Sequence, residues 1–366
     1  MMGGTALGVC MRVAIAVLVA TVLSAEGAGL RQKTITGVLN GAAYRIAVPT
    51  AWNGTAVIFL PGYSDKPATF DPAPSIGSVA EHLVQGGALY AEAGYHAGGW
   101  AVAEALDDVE RLRDHIAARV GTPKRVVLMG ESMGGMIALA LLERNAQKYQ
   151  GGLAFCSGTI AAYDYFKRGA FDLLIVFDAL FPSVLPPPDS IPASFQPNER
   201  VIGSVMDALR RNPDYATIVQ AAASVSDAAS LAELLVLHLD ALRELAVRAG
   251  GNPFDNTQTE YPALTRAGRR IAETRRVKAV AGAEGYLRQY YTPTGSLRVP
   301  FLALNVTSDP VVPRWATNAY PRANHWFVQQ YVNKAGHCAV TTEPRVAAFQ
   351  SLKNWMDRGW RPSERH

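Results

Sequence analysis

Gly130, Glu131, Ser132, Met133 and Gly134 form a Gly-x-Ser-x-Gly pattern with a potential nucleophile at its centre. A serine hydroxyl is weakly nucleophilic at neutral pH, so attack on an acyl carbon requires a base that removes its proton. Apolar β-branched residues precede the pattern and good helix formers follow it, which predicts a strand, a tight turn and a helix. The two glycines fit because side chains at those positions would collide in so tight a turn. The alternative is a glycine-rich turn around an ordinary serine.

The order of the chain indicates which base and acid would accompany Ser132. After such a turn, the acid is expected behind a late strand and the histidine behind the last strand. Asp309 follows the apolar run 299–306, and His337 lies between the last predicted strand and the closing helix. The other histidines do not fit this order; they are His82, His96, His115, His238, His325 and His366. We therefore predict a triad of Ser132, Asp309 and His337. The alternatives are a solvent-exposed loop histidine and an Asp-Pro turn without a chemical role.

Two backbone amides are predicted to stabilise the negative charge that develops on the attacked oxygen. One belongs to Met133, the residue after the serine, and the other to the loop behind the third strand. In that loop Tyr63 is the candidate donor, because Gly62 lets the chain pass close to a substrate. A tight turn without a catalytic role is the alternative, so the assignment depends on the position of the loop after an apolar strand.

The segments that must position these residues alternate between strands and helices. Asn40 and Gly41 predict a two-residue hairpin turn near the start of this pattern. Strands are predicted at residues 34–39, 43–48, 55–60, near 88–91, directly before Gly130, and at 152–156, 299–306 and 326–331. Helices are predicted at residues 100–120 and 343–358 from their apolar spacing. The pattern indicates an α/β fold around a mostly parallel sheet.

The alternation stops between residues 158 and 297, where a proline cluster breaks the chain and helical segments follow. The clearest helix covers residues 230–249, and Ser230 and Glu233 have the spacing of a capping box at its start. We interpret this block as a helical cap inserted into the core. The predicted organisation is a signal peptide at 1–28, the N-terminal part of the core at 29–157, the cap at 158–297 and the C-terminal part of the core at 298–366.

Composition excludes several classes of protein. The chain has 366 residues, of which 49% are hydrophobic and 18% charged, so it can bury a large core. Its formal charge of +4 is mild for this length, and Lys and Arg do not cluster between aromatic residues. We therefore expect no nucleic-acid partner.

The N-terminus has the order of a secretory signal. Arg12 precedes the apolar run 13–23, and small residues follow at 24–28. An uncleaved membrane anchor is the alternative, but the run is short for a membrane span. We predict a secreted or periplasmic protein without a stable membrane anchor. Cys10 would be removed with the signal, which leaves Cys156 and Cys338.

The chain resembles the serine hydrolases of the α/β-hydrolase fold. Residues 130–134 match the family's nucleophile elbow, the tight turn that carries the serine. Asp309 matches the loop of the acid, and Gly336 and His337 match the loop of the histidine. It implies a mostly parallel central sheet with an inserted cap, and acyl transfer through a serine ester. Pro61 stands where relatives often carry histidine, which is a departure in the oxyanion loop. No His/Cys cluster has ligand spacing and no phosphate loop is present, so no metal or cofactor is expected.

His337 and Cys338 also resemble tannases and feruloyl esterases, in which a disulfide joins the residue after the catalytic histidine to the residue before the serine. Here Glu131 precedes the serine, so that bridge cannot form. A bond between Cys156 and Cys338 would instead hold the histidine loop over the sheet. The alternative is a pair of unpaired, buried cysteines.

Hydrolysis of carboxylic esters, small or polymeric, is the predicted reaction, because secretion and an apolar cap suit an ester with hydrophobic bulk. A serine peptidase or amidase of the same fold is one alternative, since the triad serves esters and amides alike. A secreted binding protein without turnover is the other.

Overall fold

The computed structural model describes residues 32–70, 77–268, 274–321 and 323–365. The predicted signal peptide, 1–28, lies outside these residues. Among them the strands are β1 (Gln32–Leu39), β2 (Ala42–Pro49), β3 (Thr55–Leu60), β4 (Leu89–Ala93), β5 (Arg125–Glu131), β6 (Gly151–Phe155), β7 (Phe301–Ser308) and β8 (Phe327–Ala335).

The helices are α1 (Ser78–Gln85), α2 (Val102–Arg119), α3 (Met133–Arg144), α4 (Ala162–Phe166), α5 (Asp172–Leu180), α6 (Glu199–Arg211), α7 (Pro213–Ala223), α8 (Ala228–Ala249), α9 (Pro262–Arg266), α10 (Ala283–Tyr290), α11 (Arg314–Thr317) and α12 (Thr342–Arg358). A 3₁₀ turn covers Ala146–Lys148. A π-helical turn, Lys167–Phe171, joins α4 to α5.

The described strands form one sheet in the order β1-β2-β4-β3-β5-β6-β7-β8. The β1–β2 and β2–β4 pairs are antiparallel, and every pair from β4–β3 to β7–β8 is parallel. Asn40 and Gly41 both have positive φ in the first hairpin, as its two-residue turn requires. The predicted α/β architecture with a mostly parallel sheet is confirmed.

Helices cover both faces of the sheet, because the central strands are apolar on both sides. Buried residues of α2 and α3 join one apolar cluster, and those of α1 and α12 join a second cluster on the opposite face. The carboxyl ends of the parallel strands lie at one edge, where the loops that follow β3, β5, β7 and β8 carry the predicted site residues.

Helices α4 to α10 follow β6 and precede β7, although β6 and β7 are neighbours in the sheet. Their apolar side chains belong to the same cluster as those of α2 and α3, so this helical insertion packs directly on the core. Polar contacts add to this packing. Arg248 of α8 forms ion pairs with Glu104 of α2 and with Glu244 of α8. Glu244 also accepts a hydrogen bond from the Trp100 amide. The predicted cap limits, 158 and 297, stay predictions.

The start of α8 differs from the predicted capping box. The helix begins at Ala228, and the side chain of Asp227 accepts a hydrogen bond from the Ser230 amide. Ser230 is therefore inside the first turn and not at the cap. The physical reason is that a carboxylate three residues earlier satisfies the free amide of Ser230 and is stabilised by the helix dipole. The sequence pattern does not predict helices α1 and α11.

Within the described residues no single helix is long and apolar enough to cross a membrane; Pro213–Ala223 and Ala228–Ala249 pass that test only as a pair, across a bend of 63°.

Candidate active site

Ser132 occupies a sharp turn between β5 and α3. Its backbone has φ 53° and ψ −121°, a conformation that is strained for any residue with a side chain. Its amide donates a hydrogen bond to the Phe155 carbonyl at 2.9 Å. A Cβ on Gly130 would lie 2.2 Å from the Gly134 carbonyl oxygen, and one on Gly134 would lie 2.0 Å from the Leu60 oxygen. Neither position has room for a side chain, but only Gly130 faces the other side of the turn as predicted, whereas Gly134 faces the backbone at the end of β3.

Ser132, His337 and Asp309 meet although they are distant in the chain. His337 Nε2 lies 3.0 Å from Ser132 Oγ, and His337 Nδ1 lies 2.9 Å from Asp309 Oδ2. A carboxylate only accepts hydrogen bonds, so Nδ1 carries the hydrogen that it donates to Asp309. Nε2 of the neutral ring is then the acceptor for the serine hydroxyl. The arrangement can remove a proton from Ser132.

The loop after β7 fixes the Asp309 carboxylate. Oδ1 accepts hydrogen bonds from the amides of Val311 and Val312, each at 2.9 Å, and the residue is buried. Tyr165 of α4 donates its hydroxyl to the Val311 carbonyl at 2.7 Å. Burial, and secondarily the charge of Asp309, raises the pKa of Tyr165, so the phenol stays protonated and can donate. Sequence reasoning missed Tyr165, because nothing local in the insertion marks a contact to a loop so far along the chain.

The two predicted oxyanion donors belong to the residue after Ser132 and to the loop after β3. Met133 begins α3, and the first amides of a helix have no partner within it. Gly62 lies against Ser132, and Tyr63 follows it. The Tyr95 hydroxyl donates to the Pro61 carbonyl at 2.9 Å and so holds the start of this loop. The loop that carries Tyr63 therefore lies beside the serine, and Met133 directly follows the serine in the chain.

The Tyr63 side chain, in the loop after β3, is half-buried and is influenced by charged residues of helix α8. Burial raises its pKa to about 12, and the carboxylates of Asp240 and Glu244 add to the rise. Each of these carboxylates pairs with an arginine of the same helix, Arg243 and Arg248 respectively. The carboxylates of α8 that influence this loop are therefore neutralised by arginines of the same helix.

Cys156 and Cys338 are joined by a disulfide that spans 182 residues, with their Cα atoms 4.9 Å apart. Cys156 directly follows β6 and Cys338 directly follows His337, so the bond connects the sheet edge to the histidine loop. Both cysteine sulfurs and a ring nitrogen of His337 lie within 4.8 Å of one another. Because disulfide sulfurs are not thiolates, this group lacks the ligands that a metal ion would take from cysteine.

Comparison with known proteins agrees with this architecture. A family model described as serine aminopeptidase, S33, matches residues 91–342. No curated protein sequence matches the chain. The match covers more than half of the chain, and with the sheet topology it supports the expected α/β-hydrolase fold.

Solved structures similar to this chain include the following three proteins. Candida antarctica lipase A has 14% identity and a TM-score of 0.47, with 91% of this chain and 78% of that chain covered. Est1E from Butyrivibrio proteoclasticus has 11% identity and a TM-score of 0.46, with 87% and 98% covered. An alpha/beta hydrolase fold protein from Chitinophaga pinensis has 11% identity and a TM-score of 0.44, with 90% and 98% covered.

Proposed function

Because this chain belongs to the serine aminopeptidase family, S33, within the α/β hydrolases, we propose that it is a serine hydrolase that cleaves carboxylic esters outside the cytoplasm. The observation that carries the proposal is the continuous hydrogen-bonded path from Ser132 Oγ through the His337 ring to the Asp309 carboxylate. A nucleophile, a base and a group that orients the base are what acyl transfer requires.

In the proposed reaction Ser132 Oγ bonds to the acyl carbon while its proton passes to His337 Nε2. The carbonyl oxygen becomes an oxyanion beside the amides of Met133 and Tyr63. When the tetrahedral intermediate collapses, the bond to the alcohol breaks and the alcohol takes the proton from His337. Water then loses a proton to His337 and attacks the acyl-enzyme. The acid leaves, and the proton returns to Ser132.

Asp309 has two tasks in this scheme. Its carboxylate keeps the hydrogen of His337 on Nδ1, so that Nε2 is free to act as the base. It also stabilises the imidazolium that forms in each half of the reaction. The amides of Val311 and Val312 hold the carboxylate in place for both tasks.

An aminopeptidase is the second candidate, favoured by the description of the matching family. Recognition of a substrate α-ammonium group needs a carboxylate that has no cation of its own. The two cap carboxylates that raise the pKa of Tyr63, Asp240 and Glu244, are paired with Arg243 and Arg248. Asp65, the third carboxylate that raises the pKa of Tyr63, is exposed to water, which weakens its attraction for a substrate ammonium group. We therefore favour an uncharged ester over a peptide with a free amino terminus.

A location outside the cytoplasm is supported by two features. The order of residues at the N-terminus is that of a secretory signal. The bond between Cys156 and Cys338 is of the kind that persists in an oxidising compartment. Fractionation of cells that express the full chain, with N-terminal sequencing of the mature protein, tests this part of the proposal.

The reaction is tested with a fluorophosphonate probe and two substrate panels. We expect the probe to label the wild type and the Ser351→Ala variant, but not Ser132→Ala; Ser351 is a half-buried serine on α12 whose hydroxyl donates to the Ala347 carbonyl. We expect turnover of p-nitrophenyl esters and much slower turnover of aminoacyl-nitroanilides. Faster turnover of the anilides would favour the aminopeptidase. A folded wild type that the probe does not label would favour the binding protein without turnover.

A further inference from the structure

We propose that Arg345, in the first turn of α12, is a positioning residue that holds the Ser132 turn and the His337 loop in register. The inference rests on the proposed function and adds a residue outside the triad and the oxyanion loop. Sequence reasoning did not single out Arg345, because an arginine in the first turn of a helix has no local pattern that indicates a long-range partner.

On the serine side, Arg345 forms a two-point ion pair with Glu131. Its Nη1 and Nη2 donate to the two carboxylate oxygens at 3.0 and 2.9 Å. The side chains are 15% and 26% exposed, so the pair is largely shielded from water. Glu131 is the last residue of β5 and directly precedes Ser132. A carboxylate held at both oxygens fixes the plane and the position of the chain that enters the turn.

On the histidine side, the same guanidinium reaches the loop between β8 and α12. Nε donates to the Val340 carbonyl at 2.8 Å, and Nη2 lies 3.4 Å from the Cys338 carbonyl oxygen. Cys338 directly follows His337. One rigid group thereby connects the residue before the nucleophile to the residue after the base.

A third contact joins Arg345 to Phe155, the last residue of β6. The guanidinium carbon lies 4.8 Å from the centre of the Phe155 ring. The Phe155 carbonyl accepts the amide hydrogen of Ser132, so this strand end also supports the serine. Lysine would keep the charge but would lose the planar fork and the stacking on the ring.

A plain structural role is the competing explanation, and the protein contains a matched control for it. Arg125, the first residue of β5, pairs with Asp357 near the end of α12 at 2.6 Å. The two ion pairs thus join the same strand to the same helix at opposite ends. Only the Glu131 pair lies at the end where the strand enters the Ser132 turn.

The experiment compares Arg345→Met, Arg345→Lys and Arg125→Met with the wild type, on one p-nitrophenyl ester. A displacement of about 1 Å at a reacting group typically lowers the rate about 100-fold. We expect Arg345→Met to lower kcat about 10- to 100-fold with little change in KM, because the base acts in both acylation and deacylation. Arg345→Lys should recover part of this loss, and Arg125→Met should keep kcat within about twofold of the wild type.

Probe labelling separates the outcomes. The rate at which the fluorophosphonate labels Ser132 should fall in parallel with kcat in Arg345→Met. A kcat for Arg345→Met within twofold of the wild type, or an equal loss in Arg125→Met, would overturn the inference and leave the proposed function intact. A wild type that is not labelled would overturn the proposed function itself. If Arg345→Met does not fold, Glu131→Gln is subject to the same criteria, since it removes only the charge of the partner.

Discussion

Gly62 lies directly against Ser132. A Cβ built on Gly62 would be 3.1 Å from Ser132 Cβ, 3.7 Å from its Oγ and 3.3 Å from the Glu131 carbonyl oxygen. The loop after β3 and the turn after β5 are neighbours because their strands pair in parallel, with Leu60 opposite Gly130. The space beside the nucleophile on this side therefore depends on the absence of a side chain at Gly62.

Gly62→Ala is predicted to impair acyl transfer more than stability. The added methyl group displaces the loop that carries the Tyr63 amide, and loss of one oxyanion donor typically lowers kcat about 100- to 1,000-fold. We expect a smaller decrease of about 10- to 100-fold, because the amide is displaced and not removed. Steady-state kinetics on a p-nitrophenyl ester measures it. Gly203→Ala in α6, where no atom lies within 4 Å of the added carbon, is the matched control and should leave kcat unchanged.

Asp309→Asn should nearly abolish activity while the loop keeps its structure. The amide oxygen of asparagine can still accept from Val311 and Val312, but its NH₂ group then faces His337 and favours the hydrogen on Nε2. In a serine protease such a change lowers kcat about 10⁴-fold. We expect a decrease of about 10³- to 10⁴-fold and a similar melting temperature. Retention of more than a tenth of wild-type kcat would exclude Asp309 as the orienting acid.

Ser132→Gly should be more stable than Ser132→Ala, although both variants are inactive. The backbone at φ 53° and ψ −121° costs a residue with a side chain about 1–3 kcal/mol. Glycine avoids this cost but loses about 0.5–1 kcal/mol through the entropy of its unfolded chain. We expect a net gain of about 1 kcal/mol over the alanine variant in urea unfolding. Equal or lower stability of the glycine variant would contradict a strained turn.

Because of His238, the free energy of unfolding should decrease as the pH falls into the mildly acidic range. Burial in α8 lowers the pKa of His238 from its ordinary 6.5 to about 4. Between these values the unfolded chain binds a proton that the folded chain does not, so stability is lost as the pH falls from 6.5 toward 4. At pH 4.5 the loss is about 2 to 3 kcal/mol.

Urea unfolding at pH 7.5 and pH 4.5 measures this effect of His238. His238→Leu should reduce the difference between the two pH values by that amount. His82→Leu, at an exposed position on α1, should leave the difference as it is in the wild type. A wild type and a His238→Leu variant with the same pH dependence would contradict the prediction.

Local patterns sufficed for much of the architecture. Asn40 and Gly41 specify the first hairpin, since few residue pairs accept positive φ at both turn positions. The strand before Gly130 and the helix after it follow from apolar runs of the right length and composition. Local patterns were weaker within the insertion, where Asp227 and not Ser230 caps α8. There, several polar residues near the helix start can serve as the cap, and only the backbone geometry selects among them.

The sequence by itself determined the type of fold and the strained turn at Ser132, because periodicity, glycine positions and turn residues act over a few neighbouring positions. The order of the predicted strands also indicated Asp309 and His337 as partners of Ser132, but only the tertiary structure showed that these side chains meet within hydrogen-bonding distance. His337 lies 205 positions from Ser132, and Cys338 lies 182 from Cys156. Glu131 lies 214 from Arg345. Contacts over such separations depend on the order of strands in the sheet, which brings the carboxyl ends of β5, β6, β7 and β8 to one edge, and no local pattern contains that order.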